Sequence, residues 1–199
     1  RAIELYQSVI NADAALEDKL NAYGGLAKLY ASAGQDDVSE GLMNQLYERA
    51  SAESSEITAL YTFEVGEQYY LHGETLRSGG SAEADTYFQK AIAYWEENAN
   101  QTAKSDYQGM VYFYSGIIHC HMNDHGKAIE CFKAVDEKWS SCECRLQALS
   151  MMAECYGVLK NNRKISISEA NLKISEIYTK IKNEYPGSPN FQTAENWLD

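Results

Sequence analysis

The sequence predicts an all-α fold, and three observations carry that prediction. Only two of its 199 residues are proline, Pro186 and Pro189, both close to the end. Proline breaks helix interiors by removing an N–H and clashing with the preceding turn, so the rest of the chain is open to long helices. Apolar residues recur at helical spacing, as in Ala84, Phe88, Ala91, Ile92 and Trp95, or Ala128, Ile129, Phe132 and Val135, giving each segment an apolar stripe. Short polar breaks separate these stretches: "SAGQDD" at 32–37, "RSGGS" at 77–81, "MNDHGK" at 122–127 and "KNNRK" at 160–164. Their Gly and Asn residues tolerate the left-handed conformation that ends a helix. The one strand-like alternation, Ile165–Ser168, is too brief to carry a sheet.

Taken in order, residues 1–11 open as "RAIELYQSVI", which reads as a helix already under way and predicts a longer polypeptide. Helix pairs follow over roughly 14–51, 54–99, 105–139 and 141–185, and a further helix begins at 188, making about nine helices. Start signals support the boundaries. Ser105 with Gln108, Ser140 with Glu143 and Ser166 with Glu169 have the capping-box spacing, in which two side chains satisfy each other's free backbone N–H groups. Ser188 before Pro189 fits an N-cap followed by proline at the first helical position. No linker long enough to separate domains intervenes, so one repeat domain over 1–199 is expected.

The pairs repeat one another. Tyr112, Gly116, Ala128, Phe132 and Val135 mark the third pair, and Gly66, Tyr69, Ala84, Phe88 and Ala91 mark the second. "AYGGLAKLYASAG" supplies Ala27 and Tyr30 in the first, and "LQALSMMAECYGVLKNN" supplies Ala153 and Tyr156 in the fourth. Each first helix has a small residue with a ring three positions later, His119 taking the ring's place in the third pair; the second and third pairs add an A-x3-F second helix.

This pattern resembles the tetratricopeptide repeat (TPR) family in a divergent form. The resemblance implies a right-handed α-solenoid of about four antiparallel helix pairs plus a terminal helix. The small residues Ala27, Gly66, Gly116 and Ala153 lie 39, 50 and 37 apart, longer than the family's period of about 34, so longer helices or turns are expected. The closing "IYTKIKNEYPGSPNFQTAENWL" is similar to TPR arrays of bacterial envelope-assembly lipoproteins and cell-division coordinators.

Charge narrows the partner. The net charge is −12, of which −11 falls in residues 1–99. Such a surface repels phosphate backbones and anionic headgroups, so a neutral to basic protein or peptide is expected rather than nucleic acid. No apolar run reaches the roughly 20 residues of a membrane-crossing helix, so direct membrane insertion is not expected.

Two clusters invite a chemical reading. "SGIIHCHMNDHGKAIECF" at 115–132 holds three histidines and two cysteines. On a helix, neighbours three or four apart meet, whereas His119, Cys120 and His121 fan out at 100° per residue and do not grip one ion together. His125 falls in the following turn. "SSCEC" at 140–144 lacks the C-x-x-C spacing of redox pairs, and an odd count of five cysteines points to reduced thiols. No catalytic residue, metal or cofactor is therefore expected.

The resemblance implies that first helices line a concave face. By spacing, that face takes Phe63, Glu67 and Tyr70 from one helix and Met110, Phe113, Ile117 and His121 from the next, with Gln147, Ser150 and Glu154 from the fourth pair. It lacks the Lys/Asn/Arg cluster by which chaperone-cofactor members clamp an acidic C-terminus. A non-catalytic protein-interaction scaffold is the expected function. The rivals are a self-associating structural segment of a larger assembly and a metal- or thiol-dependent site within 119–144.

Overall fold

A computed structural model describes residues 1–103 and 105–187; the helix expected from Ser188 onward lies outside them. Ten α-helices and one 3-10 turn make up these residues, with no strand among them. The chain divides into two compact units, Arg1–Gln108 and Gly109–Asp199.

In the first unit, α1 (Ala2–Asn11) packs on α2 (Leu16–Ser32), and α2 packs on both α3 (Asp36–Arg49) and α4 (Ser55–Ser78). Helix α5 (Ala84–Glu97) lies along α4, with the short α6 (Ala99–Thr102) beside them. In the second unit, α7 (Tyr107–His121), most of which belongs here, is followed by α8 (His125–Lys138), α9 (Arg145–Asn161) and α10 (Ile167–Glu184); α9 contacts both α8 and α10. Each of the four polar breaks spans a junction between helices. Gly34 and Gly80 take positive φ there, as the breaks require.

The pairs close over missing side chains. A Cβ placed on Gly66 would fall under 3.0 Å from the Trp95 indole, and one on Gly116 would lie 2.5 Å from the Phe132 ring. Gly73 meets Phe88 in the same way, and Gly24 meets Tyr61. Trp95, Phe88 and Phe132 are fully or almost fully buried. The Trp95 indole N–H donates to the Phe63 carbonyl at 3.2 Å, which satisfies the one polar group that burial would strand. Alanines do the same work elsewhere: Ala27, Ala128 and Ala153 are wholly enclosed.

The helix starts differ from expectation in two places. Ser166 caps α10 as expected, its Oγ accepting from the Glu169 N–H at 3.1 Å. The boxes at Ser105 and Ser140 do not form. The Thr102 hydroxyl donates to the Gln108 side chain instead, and α9 starts only at Arg145, after a turn in which the Cys142 N–H reaches the Trp139 carbonyl at 2.9 Å. The Ile165–Ser168 stretch enters α10 rather than a strand.

Gly66→Ala and Gly116→Ala should each destabilise the chain by about 1–3 kcal/mol through overpacking. Gly41→Ala, in a helix with open space around it, should stabilise by up to about 1 kcal/mol. Urea denaturation followed by far-UV circular dichroism measures all three.

Candidate functional site

At 100° per residue, Met110, Phe113, Ile117 and His121 fall within one stripe of α7. All four are half-buried. The Phe113 ring packs against Phe132 at 6.1 Å and edge-on to Tyr114 at 5.7 Å. Met110 and Ile117 rest against the core of the second unit. The stripe is thus anchored underneath and accessible above. Of the α9 residues expected beside it, Gln147 is exposed, Glu154 is half-buried and Ser150 is buried. Burial pushes the Glu154 carboxyl above its ordinary range.

In the first unit, Glu67 and Tyr70 are half-buried on α4. Phe63 is different. It is only 6% exposed, its ring stacked between Trp95 at 6.2 Å and Tyr107 at 5.8 Å. The expectation that Phe63 faces a partner is corrected: its ring fills the seam between α4 and α5, beside the carbonyl that takes the Trp95 bond. Among the repeat positions, Ala27, Gly66, Tyr69, Ala84, Phe88, Gly116, Ala128, Phe132 and Ala153 are buried, whereas Tyr30 and Tyr156 are half-buried.

Charged groups lock the second unit. Arg145, at the start of α9, pairs with Asp136 of α8 at 3.0 Å and with Glu184 of α10 at 2.6 Å, and its guanidinium also donates to the Tyr185 hydroxyl. Lys180 reaches Asp136 at 2.7 Å. A cleft of about 290 Å³ lies over this network, floored by Leu149, Met152 and Ile177 and rimmed by lysines and carboxylates.

The histidine-rich stretch gains a member from outside it. Helix α7 ends through the Asp124 N–H donating to the His119 carbonyl at 2.8 Å, with Asn123 in the left-handed region at φ 59°. That reversal carries His125 back beside Cys120. Cys155, from the middle of α9, places its sulfur 3.3 Å from the Cys120 sulfur. One ligand-capable atom from each of Cys120, His125 and Cys155 lies within 4.8 Å of the other two. The shared thiol hydrogen bond lowers the Cys120 pKa and, with burial second, pushes Cys155 far up. Among the described residues, the buried Nδ1 of His125 has no hydrogen-bond partner. Leaving such a group unmatched costs about 1–3 kcal/mol.

Sequence reading missed this cluster because it weighed only neighbours along the chain, and Cys155 lies 35 residues from Cys120. A second correction concerns Cys142 and Cys144. They are joined as a disulfide rather than free, while Cys120, Cys131 and Cys155 are thiols.

No family model matches the chain, and no curated protein matches it. Among solved structures it is similar to a variant of the nearly identical TPR-like repeats of a Podosopora anserina protein described as a kinesin light chain. That likeness has 16% identity and a TM-score of 0.50, over 90% of this chain and 83% of the other. The fold is TPR-like. A second structure of the same repeats aligns over the same shares at 15% identity and a TM-score of 0.47. Within this fold the glycine-to-ring contacts let α5 approach α4 closely and α8 approach α7 closely. Among the described residues of this TPR-like chain, no helix is long and apolar enough to cross a membrane.

Alkylation of the denatured chain without reductant should label three cysteines, and all five after reduction. Peptide mass mapping should place the protected pair at Cys142 and Cys144. Labelling of all five without reductant would exclude the disulfide.

Proposed function

We propose that this chain is a non-catalytic scaffold that holds a neutral to basic peptide or protein segment on the exposed edge of its first helices. The pairs α2/α3, α4/α5, α7/α8 and α9/α10 are read as successive repeats. The observation that carries the reading is the α7 stripe. Met110, Phe113 and Ile117 present part-exposed apolar surface at one-turn intervals, with His121 at its end. Apolar and aromatic side chains held by a rigid element, with acidic groups nearby, suit a segment that offers its own apolar anchors between cationic residues. Glu67 and Tyr70 on α4 are the counterpart in the first unit, where the charge of −11 in residues 1–99 favours basic partners by long-range attraction.

The test uses fluorescence anisotropy against peptide sets of equal length and apolar content that differ only in net charge. Neutral and basic peptides should bind, and basic ones should weaken as salt rises. Ile117→Asp should weaken binding by about tenfold or more, while Glu67→Lys should selectively weaken basic peptides. A preference for acidic peptides, or an Ile117→Asp variant that binds as the parent does, would overturn the proposal.

A further inference from the structure

Three elements of the second unit converge on one point: the last turn of α7 brings Cys120, the first residue of α8 is His125, and the middle of α9 brings Cys155. We propose that these three side chains form a binding site for a single thiolate-preferring metal ion of the Zn²⁺ class, with the fourth position left to an exogenous ligand.

The geometry supports one ion rather than a loose cluster. With sulfurs 3.3 Å apart and no ligand atom more than 4.8 Å from another, a point exists within about 2.6 Å of all three; zinc bonds to sulfur and imidazole are about 2.3 and 2.0 Å long. Small rotations of the three side chains close that gap. In a tetrahedral site the two sulfurs would sit about 3.7 Å apart, slightly wider than they are now. The donor set is also selective. Two thiolates with an imidazole favour zinc and the softer transition ions, whereas calcium and magnesium take oxygen ligands.

A second observation separates this from a mere pair of neighbouring thiols. Hydrogen bonding between Cys120 and Cys155 accounts for both sulfurs, but it gives His125 no role. Among the described residues its Nδ1 is nevertheless buried and unpartnered, on a ring already held beside the sulfurs by the α7–α8 reversal. Cys155 is 2% exposed, while Cys120 and His125 are half-buried, so an ion has an approach from the α7–α8 side. Binding forms two metal–sulfur bonds and one metal–nitrogen bond. The thiol protons of Cys120 and Cys155 pass to solvent, and no electron moves. The bound ion would tie the ends of α7 and α8 to α9.

The test uses the full chain, kept reduced with a phosphine and stripped with a chelator, then titrated with Co²⁺ as a spectroscopic stand-in and with Zn²⁺ in competition. Co²⁺ should produce a thiolate charge-transfer band that saturates at one equivalent and disappears as Zn²⁺ displaces it. Cys120→Ser and Cys155→Ser should each abolish the band, and His125→Gln should weaken binding by at least about tenfold, as losses even behind the ligands do. Cys131→Ser, and the paired Cys142→Ser and Cys144→Ser, should leave the band intact. Far-UV circular dichroism checks the helicity of every variant, and the half-buried His125→Gln keeps the test valid if Cys155→Ser does not fold. No band at one equivalent would overturn the site, as would His125→Gln binding like the parent, or a denaturation midpoint that Zn²⁺ leaves unmoved.

Discussion

A ring laid across a missing side chain is the contact on which the pairs α4/α5 and α7/α8 depend. Trp95 crosses α4 at Gly66, Phe88 crosses the same helix at Gly73, and Phe132 crosses α7 at Gly116. Glycine within a helix costs about 1 kcal/mol relative to alanine. Truncating a buried Trp or Phe typically costs about 3–5 kcal/mol. The packing term is the larger, so the glycines stay even though they weaken the helices that carry them. Any side chain at those positions would push the second helix away and expose the ring it covers.

That constraint shapes what remains for binding. Phe63, Trp95, Phe88 and Phe132 are spent on the interior, so the candidate binding residues on α4 and α7 are Glu67 and Tyr70 and the half-buried row of α7. In the second unit the pairing of α9 with its neighbours is fixed a different way, by Arg145 between Asp136 and Glu184. Partly buried ion pairs contribute little net stability but tolerate few alternative arrangements. A network of this kind holds α8, α9 and α10 in one register, and it steadies the helix that carries Cys155.

Much of the fold was legible because its signals are local. The spacing of Gly116, Ala128 and Phe132, and of Gly66, Ala84 and Phe88, encodes which residues meet, since on two paired helices sequence spacing maps onto spatial contact. Two glycines carried no such signal: Gly24 and Gly25 lie against Tyr61 and Tyr6, contacts with other helices that no local period announces. The start of α9 was misplaced at Ser140 because a capping-box spacing says nothing of the Cys142–Cys144 bond that occupies the same turn. The cysteine–histidine cluster was invisible for the same reason. Cys120 and His125 are close along the chain, but Cys155 joins them only after α9 has packed. Phe63 was placed on the surface because its spacing from Glu67 and Tyr70 is helical; its burial follows from Trp95, whose indole claims the Phe63 carbonyl.

Rings sit directly over glycine backbone in both units, and NMR of the isotopically labelled chain reads that contact. Close contact predicts strong NOE cross-peaks from the Gly66 Hα protons to the Trp95 indole and from the Gly116 Hα protons to the Phe132 ring, with ring-current-shifted resonances at both glycines. Unshifted glycine resonances without those cross-peaks would mean that the pairs do not close in this way, and the account built on them would be contradicted.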